Sequence, residues 1–460
     1  MLPQLRRLEQ TYPDHVTVVG VHAAKFTAEQ DTANVRAACL ALGVEHPVVN
    51  DPDHALWDGY AVSAWPTLVF VDPRGRVIGQ HAGELRFPEL GAVVEMMLHQ
   101  MRDAGMFPEE AEEALLPLPL RPEPSPAGVL AFPDTVLPDL RHQRLLISDT
   151  GRHRLLVTNP NGKVRRVIGR GVASFSNGNG QAGFNLPRGL ALAADGNTLY
   201  VADSDNHAIR RVDLAAGTVG TVAGTGSQAE RFHRGGPARE VALSSPWDLA
   251  LSPEGGTLFV AMAGFHQVWA LDITSGMIGP YSGTGHEGIK DDIRARAWHA
   301  QPSGLSLATD GNGDGAMLYV ADSETSAVRA VDTRGPGGGV RTLVGEGLFV
   351  FGDRDGPGQT ARLQHPLGVC AVGDAVYVAD SYNNRIRHID IMSDEVRTVV
   401  GDGTHGFQDG VGEAARLWEP SSIHVSDDGS DVLYIADTNN HAVRVLDHTG
   451  GELRTLRVTE

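Results

Sequence analysis

One fifteen-residue pattern recurs along this 460-residue chain, and it constrains the fold more than any other feature. It reads LYVADSDNHAIRRVD from Leu199, LYVADSETSAVRAVD from Leu318, VYVADSYNNRIRHID from Val376 and LYIADTNNHAVRVLD from Leu433. A weaker copy, LLISDTGRHRLLVTN, starts at Leu145, and a degenerate one, LFVAMAGFHQVWALD, at Leu258. The motif aspartate falls at Asp149, Asp203, Asp322, Asp380 and Asp437, and Met262 takes its place in the third copy. Successive intervals of 54, 59, 60, 58 and 57 residues follow from those positions. A repeat of this length is one supersecondary unit stacked against its neighbours, so the count of copies sets the architecture.

Each unit reads as four short strands. An apolar strand after a proline turn comes first, as in LPRGLALA, SPWDLALS and HPLGVCAV. The LYVAD strand is second, the IRRVD strand third, and a strand such as GTVGTVAG fourth. Val, Ile and Tyr enrichment with two-residue alternation and Gly or Asn turns favours strands over helices. Six four-stranded units predict an all-β six-bladed propeller over residues 128–460. The ADxxNxxIR core, the VxTVAGTG-like strand and the loop DGVGEAARLWEP closely resemble the NHL repeat, and that resemblance covers the same residues. The third copy departs most, with Met262 and Ala263 for Asp and Ser, and Trp269 where four others carry Arg.

The repeated Asp149, Asp203, Asp322, Asp380 and Asp437 and the arginines Arg210, Arg329, Arg387 and Arg444 invite a catalytic reading. A structural one is expected, because an active site needs one asymmetric constellation and these residues recur. The aspartate is expected to accept N–H groups of its own tight turn, with Asn in the left-handed position. The arginine is expected to pair with a carboxylate of a neighbouring blade. His153, His207, His266 and His441 share one turn position, with Ser326 and Asn384 completing the set. Imidazoles can ligate zinc when several meet at one ion, but equivalent positions on successive blades lie too far apart, so polar turn residues are expected and no metal.

The first hundred residues change period. LPQLRRLEQTYPD reads as an amphipathic helix, VTVVGVH as a buried strand, and TAEQDTANVRAACLALG as a helix with a capping-box-like start at Thr27. HPVVND is a strand, TLVFVDPRGRVIGQHAG a hairpin and FPELGAVVEMMLHQMRDAG a closing helix. This order, and above all YAVSAWPTLVFVDPRGRVIGQHAGE, resembles the thioredoxin-like domain fused to NHL repeats. The resemblance implies an α/β domain over residues 1–104, with Trp65 and Pro66 forming a cis-proline loop that docks substrate. It also implies a Trp-Cys-x-x-Cys-like redox segment, yet no CxxC occurs here. The segment and its central strand are expected upstream of Met1, leaving the sheet incomplete. Cys39 and Cys370 lie in different domains and are expected to be core residues. A lone thiol cannot run a dithiol–disulfide cycle.

Residues 105–127, rich in Pro and Glu, read as a semi-rigid linker. The net charge of −19 opposes nucleic acid, no apolar run is long enough to span a membrane, and no secretory signal core is visible. With two cysteines, this balance predicts a cytoplasmic protein without cofactor. The expected function is a binding scaffold whose propeller presents a surface to a protein or peptide. The alternative is a thiol–disulfide oxidoreductase in a full-length parent.

Overall fold

The computed structural model describes residues 1–107, 126–229, 232, 234–309, 316–335 and 337–460. Most of the expected 105–127 linker lies outside them. The chain divides into two compact units, 1–125 and 126–460.

In the first unit, α1 (Leu2–Thr11) packs Leu8 against Leu90 and Val94 of the long helix Phe87–Asp103. β1 (Gly20–His22) pairs in parallel with β2 (Val48–Asn50). β3 (Thr67–Val71) and β4 (Val77–Ala82) form an antiparallel hairpin. These pairs are separate two-stranded sheets. The expected buried strand VTVVGVH is therefore only three residues long, and Val19 and Val21 stand exposed. Among the described residues β1 pairs with no strand besides β2. The expected helix start at Thr27 is a 3-10 turn instead, Thr27–Gln30. The α-helix opens at Thr32, where Asp31 caps it by accepting the Ala33 N–H at 2.8 Å. That helix buries Asn34, Val35 and Ala37; of the face that Cys39 shares with Val35, Ala38 and Leu42, only Val35 is core, Ala38 and Leu42 are exposed and Cys39 is half-buried. Cys370 is buried, and burial pushes its thiol up to about 12.

The second unit is a six-bladed β-propeller. The innermost strands are Pro133–Asp139, Pro187–Leu192, Pro246–Leu251, Pro302–Thr309, Gly368–Val372 and Pro420–Val425, one for each of blades 1 to 6. Each is followed outward by three antiparallel strands, the second ending on the motif position. Side chains alternate across every blade, so both faces of each sheet meet a neighbouring blade and the core is a chain of inter-blade layers. Leu146 of blade 1 and Val201 of blade 2 share one such layer, and Val136 and Ala436 another across blades 1 and 6.

In blades 2, 3, 5 and 6 the connecting segment adds a two-residue fifth strand to the outer edge, for example Gly356–Pro357 against Glu395–Val396. Blade 1 receives the chain's end instead. The Val164 N–H donates to the Thr459 carbonyl at 2.8 Å, and the Thr459 N–H donates to the Gly162 carbonyl at 3.0 Å. The last residues thereby pair with the first blade and close the ring, leaving less strand edge open.

Candidate functional site

The motif aspartate does not accept the backbone N–H groups of its own turn. Its Oδ1 accepts the N–H of the segment entering the innermost strand of the same blade. Asp149 takes Ala131, Asp203 takes Asn185, Asp322 takes Ala300, Asp380 takes Gln364 and Asp437 takes Trp418, at 2.7–2.8 Å. The other oxygen meets the arginine seven residues on, which the two-residue alternation places on the same face. Arg210 reaches Asp203 at 2.6 Å, Arg329 reaches Asp322 at 3.3 Å, Arg387 reaches Asp380 at 2.9 Å and Arg444 reaches Asp437 at 2.7 Å. The partner is thus the arginine's own blade, not a neighbouring one. In blade 1 the seventh residue is Leu156, and Arg154 pairs with Asp149 at 2.7 Å in its stead.

Each guanidinium also holds the connecting segment. Arg329 meets Asp291, Arg387 meets Asp355 and Arg444 meets Asp409, while Arg210 donates to Asn177 at 2.8 Å. That same Asp or Asn accepts from the threonine opposite the arginine on the fourth strand: Thr221, Thr342, Thr398 and Thr455. The motif asparagines Asn206, Asn383 and Asn440 lie one residue before the left-handed position, not in it. Each donates to its motif aspartate at 2.8 Å and to a connecting-loop carbonyl, of Ser174, Gly352 and Gly406 respectively. In blades 2, 5 and 6 the loop Asp or Asn stands one residue before a Gly and the threonine eleven after the arginine, a recurrence legible in the sequence, whereas in blade 4 Asp291 precedes Asp292 and Thr342 stands thirteen after Arg329.

Burial pushes Asp203, Asp322 and Asp437 up to about 6 against the downward pull of their arginines. They stay ionised at neutral pH beside a guanidinium that never deprotonates. These are interior braces, without access to a substrate.

Blade 3 replaces the whole brace at once. Met262 stands for the aspartate, Trp269 for the arginine, Pro280 opposite it for the threonine and Gly235 for the loop carboxylate. Trp269 is fully buried, and its Nε1 donates to Gln267 Oε1 at 3.0 Å while the Gln267 amide donates to the Gly283 carbonyl. No carboxylate takes the Met262 position among the described residues. Phe265 then stacks on Trp269 at 5.4 Å, and Phe232 lies against Phe265 at 5.2 Å.

The shared turn position is left-handed in all six blades. His153, His207, His266 and His441 accept, through Nδ1, the N–H of Leu186, Ser245, Gln301 and Phe132 at 3.0–3.1 Å. Ser326 Oγ accepts from His365 and Asn384 Oδ1 from Glu419. Every acceptor belongs to one blade and every donor to the next, and His441 to Phe132 closes the circle. Each donor residue is itself left-handed and precedes the entry proline of its blade. The imidazoles are inter-blade clasps that do not converge, and no group of three or more His, Cys, Asp or Glu is gathered for a metal among the described residues.

A cavity of about 20 Å³ lies between residues of the innermost strands, among them Asp134, Asp248, Ser303, Ser421, Ser422 and His424. That is room for roughly one water molecule. Burial, aided by the Asp134 carboxylate, raises Asp248 to about 7, and burial lowers His424 to about 4.

In the first unit the Trp65–Pro66 peptide is cis. Trp65 is 48% exposed, donates from Nε1 to the Ala23 carbonyl at 2.9 Å and lies 4.4 Å from the Trp57 ring. The Pro66 carbonyl accepts the Gly83 N–H from beyond β4.

Comparison with known proteins follows the same division. The NHL repeat model matches residues 184–211 and 363–389. The chain is 38% identical over 480 residues to NHL repeat-containing protein 2 of Bos taurus, covering 97% of this chain and 64% of that protein. It is 39% identical over 466 residues to Protein SUPPRESSOR OF QUENCHING 1, chloroplastic, of Arabidopsis thaliana, covering 98% and 43%. The chain thus spans less than two thirds of the length of either relative. A 109-residue stretch, 24% of this chain, is 26% identical to Protein DipZ of Mycobacterium tuberculosis and covers 16% of it. Among solved structures, a structural genomics protein of unknown function from Bacteroides thetaiotaomicron superposes with a TM-score of 0.51 at 16% identity, covering 70% of each chain, which shows the shared fold. With two repeats matched by the model and all six blades built on the same plan, the second unit is a propeller that carries NHL repeats.

Proposed function

We propose that the propeller is a docking platform for a partner protein, and that the face carrying the motif turns receives it. One observation carries this reading: the connecting segments present a crown of exposed aromatic side chains there. Phe175, Phe232, Phe349 and Phe407 are 41%, 61%, 70% and 59% exposed. Phe175 and Phe407 lie over the guanidinium groups of Arg210 and Arg444 at 4.9 and 5.0 Å, so buried braces hold exposed rings in place. Rigid exposed aromatics are what protein interfaces use as anchors, because they bury large area at little entropic cost. The test is the full chain with Phe232, Phe349 and Phe407 replaced by serine, cross-linked in extract and compared with the unmodified chain by quantitative mass spectrometry. At least one partner should fall about tenfold in recovery; an unchanged set overturns the reading.

The finer reading of residues 1–104 as a thioredoxin-like accessory domain joined by the 105–127 linker belongs to the same proposal. The cis Trp65–Pro66 loop and the DipZ stretch favour it. Within it, Trp65 and Pro66 contact a client chain, and thiol–disulfide exchange is a property of a longer protein bearing a CxxC pair. This chain has two cysteines and no such pair. The purified 460-residue protein should leave the rate of insulin reduction by dithiothreitol at its uncatalysed value, and clear turnover would refute this account. Nucleic acid is not the proposed partner, given the net charge of −19. No described helix is long and apolar enough to cross a membrane. The cytoplasm remains the proposed compartment, although one relative carries the designation chloroplastic.

A further inference from the structure

Away from the motif turns, a groove of about 510 Å³ opens between blades 2 and 3. Its apolar floor includes Val222, Leu271 and Ile273, which belong to the packed layer between the two blades or rest on it. Tyr200 of the second strand stands beside its cross-strand neighbour Arg211, and both line the groove. Arg239 reaches it from the segment that connects the blades.

These two arginines differ from most others in the propeller. Arg211 makes one long contact, from Nη2 to Thr198 Oγ1 at 3.4 Å, and has no carboxylate within ion-pair distance among the described residues. Arg239 has neither a hydrogen bond nor an ion pair among them. By contrast Arg341, also on an exposed edge, meets Asp394 of the next blade at 2.6 Å. One carboxylate does line the groove. Asp195 is fully engaged, however, accepting the Asn197 and Thr198 N–H groups and the Thr198 hydroxyl, each at 2.8 Å. The lining thus sets two guanidinium groups against one carboxylate, a positive balance that Asp213, acting on Arg211 from outside the lining, offsets in part, in a chain of net charge −19.

We infer that this groove docks an extended segment of a partner protein in which apolar and acidic residues alternate. The apolar side chains would lie on Val222, Leu271 and Ile273. The carboxylates would accept paired N–H groups from Arg211 and Arg239, the planar geometry that guanidinium offers a carboxylate. The volume suits two or three side chains, within the usual range of recognition pockets. The inference rests on the reading of the propeller as a docking platform, and it adds a second, chemically distinct contact to the aromatic crown.

The probe is a fluorescein-labelled octapeptide alternating Leu and Glu, with a Leu–Gln octapeptide as its neutral counterpart. Both are titrated by anisotropy against the full 460-residue protein at low salt. The Leu–Glu peptide should bind about tenfold tighter than Leu–Gln, and the preference should shrink as salt rises. The double variant Arg211→Glu, Arg239→Glu should lose that preference with an unchanged circular dichroism spectrum, since both side chains are exposed. Arg454→Glu, an exposed arginine on blade 6, should bind within about twofold of the unmodified protein. Equal affinity for the two peptides, or a preference that survives in the double variant, overturns the inference. The triple phenylalanine variant should keep the Leu–Glu preference, so failure at the groove and failure at the crown are read separately.

Discussion

Replacing Arg387 by leucine should lower the unfolding free energy of the propeller by about 3–5 kcal/mol, read from chemical denaturation followed by tryptophan fluorescence. Arg387 is 1% exposed and holds three carboxylates, those of Asp380, Asp353 and Asp355. Asp353 and Asp355 are partly exposed and recover water once the guanidinium is gone. Asp380 is fully buried and does not, so its charge stays without a counter-ion or must be neutralised by a proton. The reciprocal experiment belongs in blade 3. Met262→Asp places a carboxylate among Trp269, Pro280 and Gly235, none of which offers a cation, and a loss of similar size is expected. Adding Trp269→Arg should recover only part of it, because the loop carboxylate and the threonine that complete the other braces are still missing. A loss below about 1 kcal/mol in Arg387→Leu would show that the brace is not what holds the connecting segments.

This brace also marks how far the sequence can be read. Six copies of one pattern, the four strands of each and the odd third blade were visible as periodicity, and the structure keeps them all. Pairing was harder to see. Arg387 and Asp380 stand seven residues apart, which on a hairpin puts them on adjacent strands of one blade, while the expectation looked to a neighbour. Asp355 and Thr398 join them from 25 residues before and 18 after the aspartate, and only the register of the fourth strand brings those residues to one point. The first unit failed in another way. VTVVGVH carries the composition of a buried strand, but burial needs a layer on each face, and composition does not say whether that layer is present. The helix start moved from Thr27 to Thr32 because Asp31 caps better by accepting from the backbone two residues on.

The shared histidine position was equally legible and equally mute, since the partners of His153, His207 and His266 are N–H groups 33, 38 and 35 residues on in the next blade, and that of His441 lies 309 residues back. That geometry fixes a proton state. A ring nitrogen that accepts a backbone N–H must be unprotonated, so His207 Nδ1 can hold Ser245 only while the imidazole is neutral. Burial lowers His207 to about 4 from 6.5, and burial also lowers His266 and His441. A depressed folded-state value means that the unfolded chain binds the proton first as pH falls. Stability from the clasp is therefore complete above about pH 6.5 and is lost progressively toward pH 4. For His207 alone the full span is worth about 3 kcal/mol, of which roughly 2 kcal/mol is gone at pH 5. The buried aspartates oppose this, because Asp203, Asp322 and Asp437, raised to about 6, gain a proton on folding in the same window. The raw pH profile thus mixes two signs, and a difference between two proteins isolates the clasp. His207→Asn supplies the comparison, since Asn384 already fills the same position in blade 5 with an acceptor that does not titrate. At pH 7.5 the variant should lie within about 1 kcal/mol of the unmodified protein. At pH 5 the unmodified protein should have lost roughly 2 kcal/mol relative to the variant, by urea denaturation at both pH values. A difference between the two proteins that is the same at pH 7.5 and pH 5 would mean that folding does not depress the titration of His207, and that the ring of blades is not loosened through its imidazoles.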